Sequence, residues 1–279
     1  MMPTLSVMAP AKLNLFLHIT GQREDGYHTL QTLFQLLDWG DTLTFDRNDS
    51  GKVTLESSDL GFDQADNLIL AAARQIHQPG LGAHIVLDKK IPIGGGLGGG
   101  SSNAATTLMA LNLLWDLNIE PRIMLDIGAS LGADVPVFLA GHTAWAEGIG
   151  EALTPVELDN KWYVVIFPQT PVNTGEIFSK GQLTRDTPAI TIATFFEGHS
   201  RNDCQPVVID LYPEIGKALA WLGSFAESRL TGTGACVFAS FASQAEADAV
   251  RCQVPTYWNV VVARGVNQSP ALKQLVLTR

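Results

Sequence analysis
Apolar and polar residues alternate along residues 8–19. Ala11, Leu13, Leu15, Leu17 and Ile19 fall on one face of an extended chain; Lys12, Asn14, Phe16 and His18 fall on the other. A period of two predicts a strand with one fully apolar face. A polar turn over residues 21–26 leads into a second strand ending near Leu37, and residues 42–45, 52–56 and 84–87 read as further strands. Asp66 is placed to cap a helix over residues 67–75. Residues 104–111 are good helix formers. Residues 121–131 carry Ile123, Ile127 and Leu131 on one stripe and end at Gly132, a helix stop. Residues 142–147 read as a strand.

After a short polar connection, residues 162–167 read as a buried strand. Residues 206–222 read as a helix with a kink at Pro213, 236–241 as a strand, 243–252 as a helix and 258–263 as a strand. Strand and helix patterns alternate in both halves, so the expected class is α/β (α+β). The change of texture near residues 155–160 divides the chain into expected domains of 1–156 and 157–279.

Composition narrows the classes. A chain of 279 residues with 46% hydrophobic and 16% charged residues can bury a large core. A formal net charge of −10 argues against a nucleic-acid or anionic-membrane surface, though a local basic pocket stays open. Cys204, Cys236 and Cys252 are odd in number and widely spaced, which suggests reduced thiols. No run of 18 apolar residues and no basic leader are present, so the expectation is a cytoplasmic protein.

The strongest chemical signal is the segment from Gly94 to Gly100, six of whose seven residues are glycine, followed by Ser101, Ser102 and Asn103. Glycine lets a ligand approach the main chain closely, and a helix start adds free N–H donors and the positive end of its dipole. The tenant that fits is phosphate. No lysine stands between Gly94 and the helix, so this is not a P-loop. Gly94, Gly96 and Gly99 match a dinucleotide fingerprint, but the acid that should end a second strand is missing, since Asp116 lies at the far end of the helix. A flexible linker is the bland alternative.

Three further segments carry candidate chemistry. Lys12 and Asn14 share a strand face that is either solvated or part of a site; a lysine beside a reacting hydroxyl stabilises a developing alkoxide. Asp134, in Leu131-Gly132-Ala133-Asp134-Val135-Pro136-Val137-Phe138, stands among apolar neighbours. It is either a helix cap or a buried carboxylate that needs a cation, for which Lys12 is the natural partner. Arg229-Leu230-Thr231-Gly232-Thr233-Gly234-Ala235-Cys236 is either a plain turn into a strand or a device that sets the second domain against the phosphates. The remaining histidines, His77, His84, His142 and His199, show no metal-ligand spacing.

In this order the segments resemble the GHMP kinase superfamily. Within it, Pro10-Ala11-Lys12-Leu13-Asn14-Leu15, Asp25-Gly26-Tyr27-His28 and the loop are similar to the bacterial kinases of 4-diphosphocytidyl-2-C-methyl-D-erythritol, over nearly the whole chain. The resemblance implies two α/β domains with the active site in the cleft between them, ATP as cosubstrate with Mg2+, and the cytidine-linked alcohol as substrate. It implies no protein partner. The catalytic pair is carried over to Lys12 and Asp134. ATP binding is carried over to Asn67, Pro92, Ile93, Gly94, Gly95, Gly96, Leu97, Gly98, Gly99, Gly100, Ser101, Ser102 and Asn103. Substrate binding is carried over to Asn14, Tyr27, His28, Thr174 and Phe178, with Tyr27 stacking on the cytosine and His28 hydrogen-bonding it. The text around Phe178 departs from the proline-rich form of some members. A mevalonate or homoserine kinase, or a non-catalytic relative, remain the alternatives.

Overall fold
The computed structural model describes residues 4–24, 26–58 and 67–277. The first half contains β1 (Thr4–Gln22), β2 (His28–Asn48), β3 (Val53–Ser57), α1 (Leu68–Ile76), β4 (Gly82–Asp88), α2 (Gly99–Leu114), α3 (Pro121–Leu131), α4 (Val135–Ala140), β5 (Ala144–Glu147) and β6 (Ala152–Pro155). The second contains β7 (Trp162–Phe167), α5 (Thr174–Ser179), α6 (Ile192–Phe196), α7 (Gln205–Leu211), α8 (Pro213–Gly223), β8 (Ser228–Leu230), β9 (Val237–Phe241), α9 (Gln244–Arg251), β10 (Asn259–Val266) and α10 (Pro270–Leu277).

β2 is the hub of the sheet. One of its edges pairs antiparallel with β1. The other takes β5 at Thr32–Phe34, β10 at Leu36 and Leu37, and β4 at residues 42–48. β3 adds to β4 in parallel, which makes the sheet mixed. From β10 the ladder continues through β7 and β9 to β8. The segment 42–45 is therefore part of one long strand with residues 28–41, not a strand of its own.

The strict alternation expected of β1 does not survive. Its register against β2 shifts between Pro10 and Lys12, between Asn14 and Leu17, and between Ile19 and Gly21. Each bulge swings the following side chains to a new face. Ala11 and Leu13 enter a core with Leu97, Tyr163 and Cys236, whereas Leu17 and Ile19 enter the second-half core with Val164 and Leu230. The polar face is not a solvated edge: Lys12, Asn14 and His18 are all buried.

α2 runs through the first core and is buried on nearly every side rather than amphipathic. Leu108 and Leu111 are fully buried, and a side chain of that size contributes about 1.5–3 kcal/mol. The end of the chain returns to this core, since Ala271 and Leu275 of α10 pack there.

Three local expectations change. Asp66 lies outside the described residues, and α1 is capped by Asn67, whose side chain accepts from the Ile69 N–H. On α3, Met124 and Gly128 are the buried positions while Ile123 is exposed, so the inward stripe is rotated by about one residue. At Pro213 the chain breaks into two helices instead of kinking, because proline, with no N–H to give, starts α8.

Candidate active site
A cleft of about 480 Å³ is lined by Lys12, Asn14, Asn67, the loop from Pro92 to Ser101, Asn103, Asp134, Thr174 and Phe178. The loop is held by its carbonyls. Gly94 O accepts from Ala235 N at 3.0 Å and Val172 N at 3.3 Å, and Gly95 O accepts from Cys236 N at 3.0 Å. Gly96 O accepts from Lys12 Nζ at 3.1 Å and Thr231 Oγ1 at 3.3 Å. Leu97 O accepts from Lys12 N at 3.0 Å, and Gly98 O from Ser102 N at 2.8 Å. Among the described residues, no main-chain hydrogen bond to the protein is made by the N–H groups from Gly96 to Ser101. A loop with engaged carbonyls and unspent amides at a helix start is an anion cradle.

Leu97, the one side chain in the glycine run, is buried and anchors the loop in the core that Ala11 and Leu13 share. Gly96 and Gly98 have φ of 72° and 71°, where glycine is at home. A Cβ on Gly98 would stand 2.9 Å from the Phe138 ring and 3.1 Å from Lys12 Cε. One on Gly96 would strike the Thr231 carbonyl.

Lys12 Nζ lies 3.2 Å from Asp134 Oδ2. The same ammonium donates to Asn14 Oδ1 at 2.5 Å and sits 5.3 Å from the centre of the Phe34 ring. Lys12 is 3% exposed while Asp134 is 34% exposed, so the cation is fixed inside and the carboxylate faces the cleft. Asp134 occupies the N-cap position of α4 but makes no capping hydrogen bond with its side chain. The cap reading thus gives way to the ion pair. Asn14 is fixed in turn, with Nδ2 donating to Thr32 Oγ1 at 3.0 Å and its main-chain N–H to Thr231 Oγ1 at 2.9 Å. The Thr231 segment therefore ties the second half to both the loop and the lysine strand.

Asp41 and Lys89 have no counterpart among the residues singled out from sequence. Asp41 is wholly buried and accepts from Lys90 N and Ile91 N, each at 2.7 Å, from Asn103 Nδ2 at 2.9 Å and from Lys89 Nζ at 2.9 Å. It fixes both ends of the loop. Burial pushes the Lys89 ammonium below the usual lysine range, and Asp41 opposes that shift. Asn103 spends its amide on Asp41, which leaves Oδ1 buried without a partner. Ser102 does not line the cleft; its Oγ is buried and unpartnered in the first turn of α2. Neither Asp41 nor Lys89 carried a motif, because their role depends on two distant segments meeting.

At the other end of the cleft, Phe178 stacks on His28, with ring centres 5.0 Å apart and planes inclined by 27°. Thr174 Oγ1 and Thr233 Oγ1 are 2.8 Å apart. Phe178 and Thr174 line the cleft; His28 and Tyr27 do not, His28 lying against the Phe178 ring and Tyr27 being exposed. Arg185 donates from Nε to His28 Nε2 at 2.9 Å. Burial, and then the Arg185 charge, hold the His28 imidazole below the usual histidine range.

The family models described as GHMP kinases N terminal domain and GHMP kinases C terminal match residues 67–142 and 188–260. A protein of Hahella chejuensis named 4-diphosphocytidyl-2-C-methyl-D-erythritol kinase is 52% identical over 286 residues, covering 98% of this chain and 97% of its own. One of the same name from Pseudomonas aeruginosa is 53% identical over 274 residues, covering 97% of each chain. A crystal structure of 4-(cytidine 5'-diphospho)-2C-methyl-D-erythritol kinase superposes with a TM-score of 0.81 at 29% identity, over 94% of this chain and 99% of that one. A mevalonate kinase structure, at 13% identity and a TM-score of 0.67 over 95% of this chain and 100% of that one, shares the fold. With a glycine loop, a lysine–aspartate pair and these relatives, the chain belongs to the GHMP kinases and, among them, to the 4-diphosphocytidyl-2-C-methyl-D-erythritol kinase family.

Proposed function
We propose that this chain transfers the γ-phosphoryl group of ATP to the 2-hydroxyl of the methylerythritol portion of 4-diphosphocytidyl-2-C-methyl-D-erythritol. The observation that carries the reading is the Lys12–Asp134 pair at 3.2 Å in the same cleft as a loop with unspent amides. The loop from Pro92 to Asn103 holds the phosphates, with Asn67 on the adenine side. Asp134 orients the alcohol and takes its proton as the oxygen attacks the γ-phosphorus and ADP leaves. Lys12, held in place against Asp134 and Asn14, stabilises the developing alkoxide.

Mg2+ enters with ATP. Its fit rests on Ser101, which lines the cleft at the helix start, whereas Ser102 Oγ is buried away from it. Ser101 with the phosphates would hold it, and when bound it neutralises phosphate charge. Tyr27, His28, Thr174 and Phe178 take the cytosine end. In the same reading, domains 1–156 and 157–279 meet at the cleft: the first supplies the loop, Lys12 and Asp134, and the second Thr174, Phe178 and Thr233. The enzyme works in the cytoplasm on two small molecules, with no nucleic acid, membrane or protein partner. Among the described residues, no helix is long and apolar enough to cross a membrane.

A coupled ADP-release assay across the cytidine-linked alcohol, mevalonate and homoserine tests the reading. Turnover confined to the cytidine substrate is expected. Equal kcat/KM on mevalonate or homoserine overturns it.

A further inference from the structure
Arg185 gathers four acceptors with one guanidinium. Nε donates to His28 Nε2 at 2.9 Å, Nη1 to Leu183 O at 3.1 Å, and Nη2 to Phe178 O at 2.9 Å and Lys180 O at 2.8 Å. Its other three bonds hold the carbonyls at and just beyond the end of α5, the helix that carries Thr174 and Phe178. One side chain therefore fastens the two pieces of the proposed base pocket, from opposite halves of the chain, to each other. The Phe178–His28 stack at 5.0 Å lies within this clamp.

The hydrogen bond to His28 has a chemical consequence. A guanidinium carries only donors and stays protonated at any pH the fold endures. His28 Nε2 must then be the acceptor, with its lone pair free, and the neutral ring carries its proton on Nδ1. An imidazolium would set an N–H against the guanidinium donor. The depressed basicity of His28 is consistent with this.

We propose that Arg185 is the positioning residue that locks His28 in its Nδ1–H form and thereby sets the base preference of the site. This rests on the assignment of His28 to the cytosine end. A ring locked in this way offers a donor and no acceptor at Nδ1. Cytosine presents an unprotonated N3 acceptor to such a donor, whereas uracil presents N3–H. In the opposite tautomer Nδ1 becomes an acceptor and the preference reverses. Specificity for the base thus depends on a residue that need not touch it, and a lost or mismatched buried hydrogen bond is what lets a site reject a near-isostere.

The test uses the full chain with 15N-labelled histidine, His28 being assigned by comparison with His28→Gln. Two-dimensional 15N–1H spectra at pH 7.5 are expected to show a protonated Nδ1 and an unprotonated Nε2 for His28 in the ligand-free wild type. Arg185→Met should move His28 toward the Nε2–H form, raise KM for the cytidine-linked alcohol about 10-fold with kcat changed less than threefold, and lower the preference over the uridine-linked analogue by a similar factor. Nε2–H in the wild type overturns the proposal, and that measurement needs no variant to fold. An unaltered tautomer in folded Arg185→Met overturns it as well. A changed tautomer with unaltered KM and base preference overturns the specificity claim through the assignment of His28 to the base. The wider kinase reading would stand in that case, because it falls only if the cytidine-linked alcohol is not turned over by the wild type.

Discussion

Lys12 and Asp134 meet at 3.2 Å with very different exposures, 3% for the lysine and 34% for the aspartate. The cation is fixed by Asn14 and the Gly96 carbonyl, whereas the carboxylate keeps a face toward the cleft. That asymmetry suits a group that must reach a substrate hydroxyl. Asp134→Asn should lower kcat roughly 100- to 10,000-fold, the scale of a lost general base, and leave the Kd for ATP near the wild-type value. Steady-state kinetics with calorimetric ATP titration checks both. Full turnover by the variant removes Asp134 from the proton transfer.

The loop glycines are not equivalent. Gly98→Ala places a side chain at φ 71°, 2.9 Å from Phe138 and 3.1 Å from Lys12 Cε. The backbone penalty alone is about 1–2 kcal/mol, and the shifted Lys12 should also depress kcat. Gly100 is helical, and a Cβ there meets only Leu68 Cδ1, at 3.4 Å. Gly100→Ala should gain about 0.5–1 kcal/mol from the smaller entropy loss of alanine. Urea denaturation should therefore give midpoints on opposite sides of the wild type. Equal midpoints would mean that the loop tolerates side chains throughout.

Asp41 makes the sharpest stability prediction. It is wholly buried, and Lys89 beside it is 14% exposed. Asp41→Asn leaves the lysine charge without its counter-ion, a change of about 3–5 kcal/mol for a buried pair. Asp41→Asn combined with Lys89→Met removes the stranded charge and should recover much of that loss. A double variant no more stable than the single one would show that the backbone N–H groups of Lys90 and Ile91, not Lys89, are what Asp41 serves.

The pH response follows from His28, whose basicity is lowered first by burial and then by Arg185. A folded pKa below the unfolded one favours the neutral ring. Its contribution is present above the unfolded value of 6.5 and is lost as pH falls through the lower folded value. KM for the cytidine-linked substrate should thus be flat from pH 8 to about 6.5 and rise only below that range. Arg185→Gln removes one of the two depressing causes, so the rise should begin at higher pH. A KM that climbs already between pH 8 and 7 contradicts this order.

Sequence by itself determined the segments that chemistry marks locally. Six glycines in seven residues before a helix former can do little but present backbone amides, and the loop is found where the run predicts it. Lys12, Asn14 and Asp134 stood out as polar groups in apolar surroundings, and the structure brings them into one cleft. Most strands and helices were legible because their periodicity is intrinsic. Tertiary structure decided what depends on segments far apart. The bulges of β1 redirect Leu17 and Ile19 to a different core, which no periodicity contains. Asp41 acts by joining residues 89–91 to Asn103, and Arg185 by joining His28 to the end of α5. A buried charge and a guanidinium clamp owe their roles to partners that only folding assembles, so the chain around each carries no pattern that announces it.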